Sequence, residues 1–134
     1  MTTYRIGLAA GDGIGPEISS ATHTVMDAAC KDALVSIDWF EAPIGFDAIA
    51  SYGDPIPAET KSALASCDGF VLGPHDSASY PEEYRERRNP SGELRTYFDL
   101  YANIRPARAH PAVPAVSPRM DLVIVRENTE GFYH

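Results

Sequence analysis

The chain has little of what staples a fold or threads a membrane. Only two cysteines occur in 134 residues, Cys30 and Cys67, with no CxxC spacing and no nearby histidine pair. That pattern argues against a disulfide framework or a zinc site and reads as two reduced, partly buried thiols in a cytoplasmic protein. No apolar run approaches the roughly 20 residues that a membrane helix needs. The first residues, MTTYRIGLAAGDG, lack a basic stretch followed by a long apolar one, which argues against a secretory signal. Positive charge is also short: 11 Lys and Arg stand against 19 Asp and Glu, for a formal net charge of −8. An acidic chain of this kind is a poor partner for nucleic acid.

What positive charge there is lies at one end. Residues 1–84 hold three Lys or Arg against 13 acids, whereas residues 85–134 hold eight Arg against six acids. Lysine is confined to Lys31 and Lys61, and the other nine basic residues are arginine. Arginine presents a planar fork that grips carboxylate or phosphate through two hydrogen bonds. Ordinary surface ion pairing uses the same residues, and the counts alone do not separate the two.

Hydrophobic periodicity predicts strands at 4–9, 34–41, 69–73, 100–105 and 121–126. Helices are expected from Pro16 along a face of Ile18, Thr22, Val25, Met26 and Ala29, over 57–66 behind Pro57, and for a turn or two at 93–99. Residues 75–92 read as a long polar loop of the kind that is functional or mobile. Residues 106–119, with four prolines, read as an extended surface connection, leaving the last strand without a hairpin partner. Alternation of strand and helix predicts an α/β fold with a mostly parallel sheet flanked by helices. The abrupt end after the last strand suggests a truncated chain.

The turn after the first strand reads GDGIGPE, Gly11 to Glu17. It invites a dinucleotide-binding reading, but the fingerprint G-x-G-x-x-G requires glycine where Pro16 stands. Asp38, near the end of the second predicted strand, is a weak match to a ribose-binding acid. A strand-to-helix turn that simply needs glycines explains the motif equally well.

Farther on, SGELRTYFDLYANIRPAR runs from Ser91 to Arg108. Arg95 is expected on a helix, and Arg105 and Arg126 on strands. Ligands of open α/β sheets gather beyond strand carboxyl ends, and three arginines there suit a di- or tricarboxylate. Pairing with Asp99, Glu93 or Glu127 is the plainer alternative. Tyr133 follows seven residues after Arg126, and a tyrosine beside cations can donate or accept a proton.

The strings GDGIGPE, Gly73-Pro74, NPSGELR (Asn89–Arg95), FDLYANIRPAR (Phe98–Arg108) and VRENTEGFY (Val125–Tyr133) resemble, in content and order, the isocitrate/isopropylmalate dehydrogenase family. The resemblance implies the N-terminal α/β portion, residues 1–134, of a larger two-domain subunit that is not a classical Rossmann fold. It implies oxidation of the 2-hydroxyl of a malate-type acid by NAD or NADP, then loss of the β-carboxylate. Mg²⁺ or Mn²⁺ would polarise the new carbonyl. By motif position, Arg95, Arg105 and Arg126 bind the malate carboxylates and Tyr133 helps protonate the enol carbon. Ile14 lies toward the adenine end of the cofactor, and the stretch from Gly73 and Pro74 toward Asn89 lies near its nicotinamide. Asn89 and Ser91, with Gly92, occupy the segment that meets the substrate's variable group. Their polar or small character favours an isocitrate-like over an isopropylmalate-like acid. Phe132 departs from the family, where many members carry an acid, and Pro81–Arg88 is unusually charged.

Family members run to more than twice this length. Their lysine base, their metal-binding aspartates and much of the adenosine pocket have no counterpart here. No acids have metal-ligand spacing, and Lys31 and Lys61 fall in the wrong places, so no metal ligands are assigned. A cytoplasmic homodimer is implied for the parent enzyme, with no nucleic-acid or membrane partner, and the 134 residues alone are expected to be inactive. The alternative is a non-catalytic carboxylate-binding regulatory subunit or module.

Overall fold

The computed structural model describes residues 2–87 and 89–130. They form two compact units that divide between Leu94 and Arg95.

The first unit is built on a three-stranded parallel sheet of order β2-β1-β3: β1 Thr2–Ala9, β2 Val35–Glu41 and β3 Gly69–Leu72. The α/β class with a parallel sheet and flanking helices is therefore as expected. β1 is central and pairs with β2 from Thr2 to Leu8, but β3 reaches only Ile6 to Ala9. Burial follows that register. Leu8 and Ala9 are buried, while Tyr4, beyond β3, is exposed. The rest of the core comes from Ala42 and Ile44 after β2, Ala48 of α2 (Phe46–Tyr52), Ile56, Leu64 of α3 (Ala58–Ala65), Tyr80 and Leu94. Full burial of a side chain the size of Ile56 or Leu64 is worth about 1.5–3 kcal/mol.

Helix α1, Gly15–Asp32, carries Pro16 in its first turn and Glu17 at its positive end, as expected. Its covered stripe differs from the predicted one. Ile18, Val25 and Ala29 stay exposed, Thr22 and Met26 of the expected face are partly covered, and Ser19, His23, Asp27 and Cys30 are covered or partly covered beside them. Trp39 of β2 is the cause. His23 stacks on its ring at 4.6 Å, and its indole N–H donates to Asp27 Oδ1 at 2.9 Å. β2 begins at Val35 because Leu34 takes a left-handed turn, φ 56°, after the helix. Asp38 sits mid-strand opposite Arg5, and Glu41 holds the carboxyl end, which removes Asp38 from the expected ribose position. Helix α2 was not anticipated. It is seven residues long and starts at Gly45, whose φ of 75° suits glycine.

The 75–92 stretch is not one loop. It contains a 3₁₀ turn at Ser77–Ser79, the short helix α4 at Glu82–Arg85, and the start of α5, Pro90–Tyr97. Asn89 begins α5 earlier than predicted. Its Oδ1 accepts the Gly92 N–H at 2.8 Å, and Pro90 follows as first helical residue.

The second unit is an antiparallel pair, β4 Ala102–Arg108 and β5 Asp121–Glu127, matched over seven residues. The last strand therefore has a partner, and β4 runs through Pro106 into the stretch read as a connection. In a two-stranded sheet each strand keeps an open edge, where a missing N–H costs little. Ile104, Val123, Ile124 and Val125 are exposed. After α5 the backbone turns through Asp99 at φ 48°. The Leu100 N–H bonds the Arg95 carbonyl at 2.9 Å and the Asp99 N–H bonds that of Thr96 at 3.2 Å, a helix stop that usually employs glycine.

Gly73 meets the glycine turn backbone to backbone. A Cβ on Gly73 would strike the Ala10 carbonyl, and one on Gly11 would strike that of Pro74. Gly73→Ala is expected to destabilise the chain by about 1–3 kcal/mol, read by urea denaturation. Unchanged stability would contradict this close approach.

Candidate active site

The turn after β1 is held by one buried carboxylate. Asp12 is 8% exposed. Its Oδ1 accepts the Phe46 N–H at 2.8 Å, and its Oδ2 accepts the Asp76 N–H at 3.0 Å and the Tyr80 hydroxyl at 2.6 Å. Its own N–H donates to the Pro74 carbonyl at 2.7 Å, and its carbonyl accepts the Gly15 N–H at 2.8 Å. One residue thus joins the glycine turn, the Gly45 turn and the segment after β3. Gly45 has no Cβ because Asp12 occupies that place. Burial, then the hydrogen bond to Asp12, then the charges of Asp12 and Asp76 hold the Tyr80 phenol well above its ordinary value.

This wiring decides between the two readings of the glycine motif. A phosphate cradle needs free backbone donors. Here the Asp12 and Gly15 N–H groups are spent on protein carbonyls, and the glycines serve the contact with Gly73-Pro74. Ile14 sits at the helix start with its side chain 64% exposed.

The segment from Asp76 to Glu93 is fastened twice more. The Tyr84 hydroxyl donates to the Gly53 carbonyl at 2.8 Å, and Arg87 pairs with Asp54 at 3.2 Å. Glu93 pairs with Lys61 and lies 3.8 Å from Arg87. Two of the residues assigned to the substrate's variable group, Asn89 and Ser91, stand at the start of α5. Asn89 commits its Oδ1 to the helix cap.

Arg95 lies in the last turn of α5 and is half-buried. Arg105 is mid-strand in β4 and Arg126 is near the end of β5. Asn103 faces Arg126 across the ladder and Arg105 faces Ile124. Opposed residues and residues two apart share a face, so Arg105 and Arg126 are brought to the same face of the ribbon. Arg105 Nε donates to Asn103 Oδ1 at 2.9 Å. Arg126 lines a concavity of about 380 Å³ with Tyr101 and the acids Asp99, Glu127 and Glu130. Desolvation pushes the Glu127 carboxyl up, but the N–H groups of Thr129, Glu130 and Asn128 and the charge of Arg126 outweigh it and hold it below its ordinary value. Asn128, 4% exposed, donates from Nδ2 to the Leu100 carbonyl at 3.0 Å. Tyr133 lies outside the described residues.

Asp12 and Asn128, buried polar residues inside two of the motifs, were missed by sequence reasoning. Their only signal was a polar residue inside a motif otherwise read for its glycines or its arginine. Among the described residues no group of three or more His, Cys, Asp or Glu is placed to hold a metal ion. No helix among them is long and apolar enough to cross a membrane.

Parallel strands feeding a glycine turn and flanked by helices define an α/β protein. The family model for isocitrate/isopropylmalate dehydrogenase matches residues 5–134, and the chain belongs to that family. It is 38% identical over 142 residues to the 3-isopropylmalate dehydrogenase of Prochlorococcus marinus (strain NATL2A), covering 99% of this chain and 40% of that enzyme. Against the 3-isopropylmalate dehydrogenase of Saccharolobus solfataricus the identity is 34% over 131 residues, covering 98% and 37%. The isocitrate dehydrogenase structure from Methylococcus capsulatus superposes with a TM-score of 0.83 at 32% identity, covering 97% of this chain and 36% of that one. A β-decarboxylating dehydrogenase from Thermococcus kodakarensis gives 0.67 at 30% identity, covering 96% and 35%. The chain thus spans about 40% of the length of the first of these curated relatives.

The raised Tyr80 value has a definite sign. The folded chain holds the phenolic proton more tightly than the unfolded chain, where tyrosine titrates near 10.0. That contribution is complete below pH 10 and is lost as pH rises beyond it. Urea midpoints should therefore fall above pH 10, and Tyr80→Phe should make that fall shallower. At pH 8 the same variant should cost about 1.5–3 kcal/mol, the range for a hydrogen bond to a charged group. Identical pH profiles in the two proteins would contradict the Tyr80–Asp12 bond.

Proposed function

We propose that this chain is the N-terminal portion of a subunit that oxidatively decarboxylates a malate-type 2-hydroxy acid with NAD or NADP and Mg²⁺ or Mn²⁺. Family membership and the shared face of Arg105 and Arg126 carry this reading. Arg95, Arg105 and Arg126 grip the substrate carboxylates, where a guanidinium fork matches a carboxylate's two oxygens. Tyr133 helps protonate the enol carbon left when the β-carboxylate departs. The cofactor, when bound, accepts the hydride. Ile14 supports its adenine end by apolar contact, and Gly73 and Pro74 border its nicotinamide end.

The metal is a different matter. We assign it no ligand among these residues; by the family's pattern its aspartates, like the lysine base, lie in a part of the subunit outside them. The parent enzyme is a cytoplasmic homodimer in this reading. The exposed Ile104, Val123 and Val125 support it, because they share the ribbon face opposite to Arg105 and Arg126 and an apolar face of that kind is commonly covered by a partner. Asn89, Ser91 and Gly92 favour an isocitrate-like acid, although the curated relatives above are isopropylmalate enzymes. A non-catalytic carboxylate-binding subunit is the second reading, supported by the arginines without a metal cluster.

Calorimetry on the 134-residue chain tests the core of the proposal. Isocitrate should bind without metal, and Arg105→Gln or Arg126→Gln should weaken it at least tenfold. No NADH or NADPH should accumulate when either cofactor and Mg²⁺ are added. Binding unaffected by both substitutions would remove the arginine site, and steady turnover would refute the assignment of base and metal ligands elsewhere. Tighter binding of isopropylmalate than of isocitrate would overturn the substrate preference.

A further inference from the structure

A second concave site lies in the first unit. It has a volume of about 260 Å³ and is lined by Ser77, Tyr84, Arg85, Arg87 and Asn89 with the apolar Pro55, Ala78 and the ring of Tyr80. Among the described residues no carboxylate lines it, although acids outnumber basic residues 19 to 11 in the whole chain. Its polar groups are mostly donors.

Their hydrogen bonds leave capacity facing a ligand. Arg85 commits Nε to the Tyr80 carbonyl at 2.8 Å, which fixes the plane of the guanidinium, and its two Nη groups bond no described residue. Asn89 commits Oδ1 to the Gly92 N–H, and its Nδ2 donor has no described partner. The Ser77 hydroxyl likewise has none. Arg87 is offset by Asp54 and Glu93, so Arg85 supplies the net positive charge. The frame is set beforehand. Tyr80 is anchored on Asp12, and Tyr84 on the Gly53 carbonyl. Donors held in place before binding lose little entropy when a ligand arrives.

We propose that this recess binds an oxyanion, the carboxylate or phosphate group of a small ligand, through Arg85, Ser77 and Asn89. It goes beyond the arginine ribbon: Ser77 and Arg85 fall in the stretch between Gly73 and Asn89, to which that reading gives no oxyanion grip, and Asn89 is shared with the substrate-side segment.

The test is a titration of the ¹⁵N-labelled chain with inorganic phosphate and, separately, with succinate, at ionic strength fixed by chloride. Amide shifts at Ser77, Ala78 and Asn89 should saturate. Arg85→Gln should weaken binding at least tenfold. Ser77→Ala, which removes one donor and no charge, should weaken it severalfold with an otherwise unchanged spectrum. Arg105→Gln should leave these shifts intact, which separates this site from the carboxylate grip of the ribbon. Tighter phosphate binding would assign the site to a phosphorylated ligand, and tighter succinate binding to a carboxylic acid. Shifts that grow linearly without saturation in both titrations, or equal affinity in wild type, Arg85→Gln and Ser77→Ala, would overturn the proposal.

Discussion

The Asp12 carboxylate is the constraint on which the first unit depends. A charge taken out of water is costly unless hydrogen bonds replace its hydration. Here three donors do so, and they come from positions 34, 64 and 68 residues away along the chain. Satisfying one side chain therefore fixes three separate segments at the carboxyl ends of β1, β2 and β3. The glycines around it follow from that. Gly45 leaves room for the carboxylate, and Gly11 and Gly73 let two backbones meet beneath it. A motif that looks made for phosphate is here turned inward, with the Asp12 and Gly15 N–H groups spent on protein carbonyls.

That hub passes its order outward. Tyr80 holds Arg85 through its carbonyl, and Tyr84 and Arg87 tie the same segment to Gly53 and Asp54. The result is a polar segment with fixed geometry that delivers Asn89 to the start of α5. The second unit achieves its positioning by register alone, since pairing Asn103 with Arg126 sets Arg105 and Arg126 on one face. The two devices suit different tasks. A hydrogen-bonded frame presents backbone and short side chains, and a strand ladder spaces long charged ones.

Much of this was legible in the sequence. All five strands came from their hydrophobic patterns, and Pro16, Glu17 and Pro57 marked helix starts correctly. The misses have physical causes. Helix α2 is too short for a periodic signal. Pro106 misled because a proline disfavours a strand interior but not an open edge. The buried face of α1 was misjudged because Trp39 draws polar His23 and Asp27 to the sheet. Asp12 could not be read as a hub, since its partners are distant in sequence and nothing in Phe46, Asp76 or Tyr80 announces a shared acceptor. The arginines were identified by type and placed by motif, and the ladder register then set two of them on one face.

Family membership accounts for the conjunction of the glycine turn, the capped α5 and the arginine ribbon in one order. The physical claim beneath it is that Asp12 organises the strand ends. Hydrogen–deuterium exchange on Asp12→Asn tests this most directly, because the substitution keeps the shape and replaces one acceptor oxygen by a donor. A single remaining oxygen is unable to serve both Phe46 and the Asp76–Tyr80 pair. The amide of Phe46 or of Asp76 should then exchange at least tenfold faster than in the wild-type chain. Protection unchanged at both amides would contradict the account.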